Sequence, residues 1–204
     1  MFVAFEGIEG SGKSTLLAAV AAKLAESNFD ALTTREPGGT PLGDAVRALF
    51  LARTSTISPM AEAMLVNAAR AQHVTDVIVP RLRSGGSVLC DRYVDSTLAY
   101  QGYGRGLPLD VLQAVCDAAT AEVMPDVTVV LDVPVEISRE RARQRGILAD
   151  RLESEDDAFH LRVRQGFLAL AARPGHVLLD GRLPVERLLE QTLSALREAT
   201  GIDA

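Results

Sequence analysis

Nine residues near the start of the chain, Gly7-Ile8-Glu9-Gly10-Ser11-Gly12-Lys13-Ser14-Thr15, constrain its fold more than any other stretch. They fit the spacing G-x-x-x-x-G-K-[ST]. They follow the apolar run Phe2-Val3-Ala4-Phe5 and open an amphipathic segment with Leu16, Leu17, Val20 and Leu24 on one face. The order is strand, loop, helix. Glycines let the backbone bend so that successive N–H groups point inward, and the helix behind them adds the positive end of its dipole. The loop therefore reads as a cradle for polyphosphate. Lys13 is placed to neutralise β- and γ-phosphate oxygens, and the Ser14 hydroxyl to complete the shell of a Mg²⁺ ion. A glycine-rich strand-to-helix turn is the plainer alternative, but the context the motif demands is present on both sides.

With 204 residues, 48% of them hydrophobic, the chain can bury one substantial core, and a single domain over 1–204 is expected. A net charge of −6 argues against a general nucleic-acid or anionic-membrane surface, because both need basic stripes. Any polyanion must be held locally. Cys90 and Cys116 show no C-x-x-C and no metal-type spacing, which suits buried thiols of a reducing compartment. The sequence shows no charged-then-apolar leader and no apolar stretch approaching about 18 residues, so a cytoplasmic protein is expected.

Further along, Asp30–Thr34 predicts a second strand, closed by the turn chemistry of Arg35-Glu36-Pro37-Gly38-Gly39-Thr40. Residues 41–52 predict a helix, and Pro59 opens another that runs to about Arg83, where Ser84-Gly85-Gly86 stops it. Ser87–Asp91 is a buried strand ending in an acid, and Gln101–Gly106 reads as a glycine-rich loop. Pro108 opens a helix. Val127–Val133, continuously apolar and β-branched, predicts a strand covered on both faces in the middle of a sheet. Helices over about 155–172 and from Val185 flank a last strand, His176–Asp180. The alternation implies an α/β fold with a mostly parallel sheet and helices on both faces.

Three clusters narrow the chemistry. At the tip of its strand, Asp91 is placed to hold Mg²⁺ as a Walker B acid does. The next residue is Arg92 rather than the glutamate of a water-activating ATPase, which favours transfer to a bound acceptor. The planar fork of Arg92 can bridge donor and acceptor phosphates, whereas the plain alternative is a strand-end surface pair. The second cluster is Arg139, Arg141, Arg143, Arg145 and Arg151, with Gly146 as a hinge. It reads as an arginine-rich lid at about 141–153, against the alternative of a solvated helix face paired with Glu136 and Glu140. The third mixes phosphate-clamping arginines with side chains able to read a base edge: Arg35 to Thr40, including Pro37, then Arg70, Ser96, Thr97, Tyr100 and Gln101.

Phe5–Thr15, Thr34–Thr40, Ala69-Arg70-Ala71-Gln72-His73, Asp91–Gly102 and Asp150-Arg151-Leu152-Glu153 together resemble bacterial thymidylate kinase, in that order and over nearly the whole chain. The resemblance implies the P-loop NTPase fold of nucleoside-monophosphate kinases with a five-stranded parallel core, Mg²⁺ and ATP as donor, dTMP as acceptor, dTDP and ADP as products, and a homodimer. With Ser11 in the loop, the chain is similar to the subgroup that supplies its arginines from the lid. The resemblance further assigns Arg35 and Arg92 to the acceptor phosphate, Arg70 and Thr97 to the thymine edge, Tyr100 to crowding a ribose 2′-hydroxyl, and Glu9 to the sugar 3′-hydroxyl and metal. For Glu9 a loop-stabilising role is the plainer alternative. His73 also matches, although a lone helical histidine reads as structural. The chain departs from the family at Val66, where a phenylalanine usually stacks on the base, a contact worth roughly 1–3 kcal/mol by analogy with nucleic-acid stacking.

The expected reaction is in-line transfer of the γ-phosphoryl group onto an already anionic phosphate, with no general base. Lys13, Arg92, Arg141, Arg143 and Arg145 are the expected catalytic residues, Ser14 and Asp91 the metal ligands, and Gly7 to Thr15 the donor cradle. A kinase for another deoxynucleotide or deoxynucleoside is the nearest rival. A nucleotide-dependent switch is the rival from another class, weakened by the absence of N-K-x-D.

Overall fold

The computed structural model describes residues 1–52, 56–144, 151–152 and 154–202. Five strands, β1 (Phe2–Glu6), β2 (Ala31–Arg35), β3 (Ser87–Asp91), β4 (Val127–Asp132) and β5 (His176–Asp180), form one all-parallel sheet in the order β2-β3-β1-β4-β5. The connections are made by α1 (Lys13–Glu26), α2 (Pro41–Leu51), α3 (Pro59–His73), α4 (Val79–Arg83), α5 (Val94–Thr97), α6 (Leu109–Thr120), α7 (Val135–Gln144) and α8 (Asp157–Leu170), and α9 (Val185–Thr200) closes the chain. β1 holds the centre with β4 beside it, and β4 is buried along its length as its unbroken apolar run requires.

Strand alternation divides the core. Phe2 and Ala4 of β1 face one layer with Val88, Cys90 and Val130, covered by α5, α6 and α8. Val3 and Phe5 face the other with Leu89, Val129 and Leu131, covered by Leu16, Val20 and Leu24 of α1 and by Leu188, Leu193 and Leu196 of α9. Glycine and arginine segments are thereby brought to the C-terminal edge of the sheet, where ligands of open α/β folds bind.

Two expectations need correction. The helix expected from Pro59 to Arg83 is not uniform: Val74–Ile78 is a π-helical stretch, with the Val79 N–H on the Val74 carbonyl. Pro80 has no N–H to give Asp76 and its ring crowds that carbonyl, so the wider turn accommodates it. Residues 101–106 are not a free loop. Leu98–Gly104 continues α5 as a π-helical turn, because Gly104 lies so close to α8 that a Cβ there would meet Phe159 at 2.7 Å and Val163 at 2.8 Å. Gly102 and Gly104 serve packing, whereas Gly106, with φ 78° and open space beside it, turns the chain as expected. Among the described residues no helix is long and apolar enough to cross a membrane.

Candidate active site

The donor loop is made of backbone. Gly7, Gly10 and Gly12 have φ of 137°, 72° and 100°, which side chains rarely adopt, and a Cβ at Gly10 would meet the Ser138 carbonyl oxygen at 2.8 Å. Lys13, in the first turn of α1, is buried, and its ammonium donates to the Ile8 carbonyl at 3.2 Å. Burial, then the Arg92 charge, hold its pKa below the usual lysine value. The Ser14 hydroxyl donates to Asp91 Oδ2 at 2.6 Å, while Asp91 Oδ1 and Ser11 Oγ are buried without a hydrogen-bond partner. Thr15 is exposed one residue further on. A hydroxyl beside a carboxylate whose other oxygen is unsatisfied fits a hard divalent cation held partly through water.

The lid arginines separate. Arg141 of α7 donates to the carbonyls of Gly10 and Ser11, both at 3.2 Å, and to Gly181 at 3.0 Å, and Ser138 from the same helix donates to the Glu9 carbonyl. Arg143 is exposed and pairs with Glu140 at 3.1 Å, the solvated-face alternative. Arg139 turns to Asp157 of α8, and Arg151 to the buried Glu62 at 2.8 Å. Arg145, Gly146, Asp150 and Glu153 lie outside the described residues.

Arg92 joins this loop to a second cavity. Its backbone is left-handed, with φ 74°, and its guanidinium donates to the Gly7 carbonyl, Ser96 Oγ and Glu9 at 3.1 Å each and to the Tyr100 hydroxyl at 3.2 Å. A non-glycine residue in that conformation marks a turn fixed by its surroundings. The cavity beside it is open at its mouth and walled by apolar and charged side chains together. Glu9, Pro37, Arg70, Ser96, Thr97, Tyr100 and Gln101 line it, as the sequence predicts. Arg35 does not: it is exposed at the end of β2.

The cavity wall is wired by buried carboxylates. Arg70, 1% exposed, donates to Glu36 at 2.7 Å, Asn67 at 2.9 Å, Thr97 at 3.1 Å and the Tyr93 carbonyl at 2.8 Å. His73 bridges Glu36 at 2.9 Å and Thr34 at 2.7 Å, so its part is structural. Glu62 collects Gln101 at 2.6 Å together with Arg105 and Arg151. Glu36, His73 and Cys90 lie close enough to hold a metal, but both ring nitrogens are occupied, Glu36 serves Arg70, and Cys90 Sγ meets the Arg92 carbonyl at 3.1 Å. Both cysteines are free and buried.

Sequence reasoning missed Glu62, Arg47 and Phe50. Arg47, on α2, lines the cavity with one long bond to the Pro37 carbonyl at 3.4 Å, and burial, then Arg35 and Arg92, depress its pKa. Arg47 and Arg92, two guanidinium groups lining one cavity, favour an anion between them. The available signal is Gly43, one helical turn before Arg47, which lets α2 lie against Gly38. Val66 lines the cavity while Asn67 bonds Arg70, and Phe50 packs with Val66 in the same wall under the Arg151 guanidinium, 5.4 Å away.

Comparison with known proteins gives the family. The family model for thymidylate kinase matches residues 5–192. Thymidylate kinases of Desulfovibrio desulfuricans and Thermomicrobium roseum are 46% and 47% identical, over 100% and 97% of this chain and 100% and 94% of their own. The crystal structure of the Ehrlichia chaffeensis thymidylate kinase superposes with a TM-score of 0.78 at 31% identity, over 97% of this chain and 98% of that one. With a phosphate cradle on one side of Arg92 and an open cavity on the other, the chain belongs to the thymidylate kinase family, which passes a phosphoryl group from ATP to dTMP.

Proposed function

We propose that the transfer runs across Arg92, with ATP in the loop Gly7–Thr15 and dTMP in the cavity beyond it. The observation that carries this reading is the span of one guanidinium, which bonds Gly7 of the donor loop and Tyr100 of the acceptor wall at once. Lys13 and the loop N–H groups hold the donor phosphates. Ser14 and Asp91 would hold Mg²⁺, which would supply charge neutralisation to the donor phosphates. Arg47 and Arg92, which line the cavity, clamp the acceptor phosphate, and Arg70, Thr97, Ser96 and Gln101 face the base. Pro37 and Glu9 border the sugar and phosphate, and Tyr100 leaves no room for a 2′-hydroxyl. Arg141 completes the positive surround from α7, whereas Arg143 would have to leave Glu140 to join it, and the role expected of Arg145 is assigned with theirs. The acceptor oxygen is already anionic, so positioning and charge neutralisation supply the catalysis.

One unit spans the whole chain, and Met60 and Met64, exposed on α3, support that helix as the face of a homodimer. Free buried thiols support a cytoplasmic setting. A coupled ADP-release assay over dTMP, dUMP, dCMP, dGMP and thymidine tests acceptor choice. The reading expects dTMP to be preferred; equal rates with dCMP or thymidine would refute the assigned base contacts.

A further inference from the structure

Glu6, the last residue of β1, is fully buried, yet no step described above uses it. Its donors are all neutral and all belong to the segment after Arg92: Oε1 accepts from the N–H groups of Tyr93 at 2.7 Å and Ser96 at 3.1 Å, and Oε2 from the Ser96 hydroxyl at 2.6 Å. The same Ser96 oxygen accepts from Arg92 Nη1 at 3.1 Å. A hydroxyl whose proton is committed to a carboxylate turns its lone pairs to the guanidinium. Arg92 itself sits at φ 74°, and the next N–H along is the one Glu6 captures. A strained turn persists only where its surroundings over-determine it.

We propose that Glu6 is a positioning residue for the phosphoryl transfer: its buried carboxylate fixes the left-handed turn at Arg92 and, through the Ser96 hydroxyl, aims the guanidinium between donor and acceptor. The inference rests on the assignment of Arg92 to the transferring group.

The carboxylate is expensive to keep ionised. Burial, then the Asp95 carboxylate, push its pKa up to about 7. Asp95 in turn is bonded by His176 at 2.8 Å, and Arg92, Lys13 and Cys90 are the other titratable or charged groups that feel Glu6. A folded-state pKa raised above 4.5 means that the native protein holds this proton more tightly than the unfolded chain. The stability Glu6 contributes is therefore lost as pH rises through about 7. A scaffold glutamate and a positioning glutamate then make opposite predictions, because only the second trades stability for turnover.

The experiment compares wild type, Glu6→Gln and Arg92→Ala in steady-state turnover of ATP and dTMP, with thermal midpoints from pH 5 to pH 8.5. Glutamine keeps the oxygen that serves both backbone N–H groups and turns the Ser96 hydroxyl away. We expect kcat to fall at least about tenfold with KM for dTMP changed less than about threefold. The midpoint of Glu6→Gln should rise relative to wild type as pH increases. A folded Glu6→Gln protein with kcat within about twofold of wild type overturns the inference, as does a midpoint lowered equally at every pH, or failure to fold, since a neutral amide is easier to bury than a charge. Near-normal turnover in Arg92→Ala would instead refute the assignment beneath it; collapse there with normal turnover in Glu6→Gln would sink the role of Glu6 alone.

Discussion

The donor loop and the acceptor cavity solve the same problem, holding an anion, with different materials. The loop uses contiguous backbone: three glycines in left-handed conformations, a helix N-terminus and the single ammonium of Lys13. The cavity draws on the turn after β2, on α2 and α3, on the β3–α5 turn and α5, and on the π-helical turn that follows α5. It holds Arg70 and Gln101 through carboxylates that are themselves sealed from water, Glu36 at 3% and Glu62 at 0% exposure. A backbone site can lose a side chain without loss of fold. A wall built from buried ion pairs cannot, because the partner left behind is a desolvated charge.

The comparison can be broken or sharpened at four positions. Arg70→Met leaves Glu36 buried with only His73, and should cost about 3–5 kcal/mol of stability, measured by denaturant unfolding. Lys13→Ala should leave the unfolding midpoint near wild type while lowering kcat by about 10²–10³-fold, roughly 2.7–4 kcal/mol, as loss of a preorganised donor does. Equal destabilisation by these two substitutions would erase the contrast. Arg47, on the cavity side but without a carboxylate partner among the described residues, should behave like the loop: Arg47→Ala should raise KM for dTMP by about tenfold or more, the scale of one charge-assisted bond, with the fold intact. The smallest effect belongs to His176, whose pKa is raised by its hydrogen bond to Asp95. A raised histidine pKa stabilises below about 6.5 and stops doing so as pH climbs through the folded value. His176→Ala should therefore lose stability at pH 6 and little at pH 9.

How much of this was legible in sequence follows from the same contrast. The loop, the strand ends and Arg92 stand in contiguous motifs with local physical causes, and β3 and β5 run over the residues that their apolar runs predict. Phe50 and Glu62 carry no local signal, and the one near Arg47, Gly43 a helical turn earlier, speaks only of close packing. Each is one charged or aromatic residue on an ordinary helix, and only the fold brings it to the cavity. The misread segment 101–106 fails for a related reason: glycine is read as a turn former, but Gly104 is small because Phe159 and Val163 of α8 press against it. Val66 shows the reverse case, a departure visible in the sequence whose setting beside Phe50 was not.

The central claim is that one guanidinium serves both halves. It is tested most directly by single-turnover transfer of label from γ-³²P-ATP to dTMP in wild type and Arg92→Ala, with separate binding measurements for each nucleotide. The account predicts label on dTDP in wild type, and in Arg92→Ala a transfer rate at least about 100-fold slower while ATP still binds. Label reaching dTDP in Arg92→Ala within about threefold of the wild-type rate would contradict it.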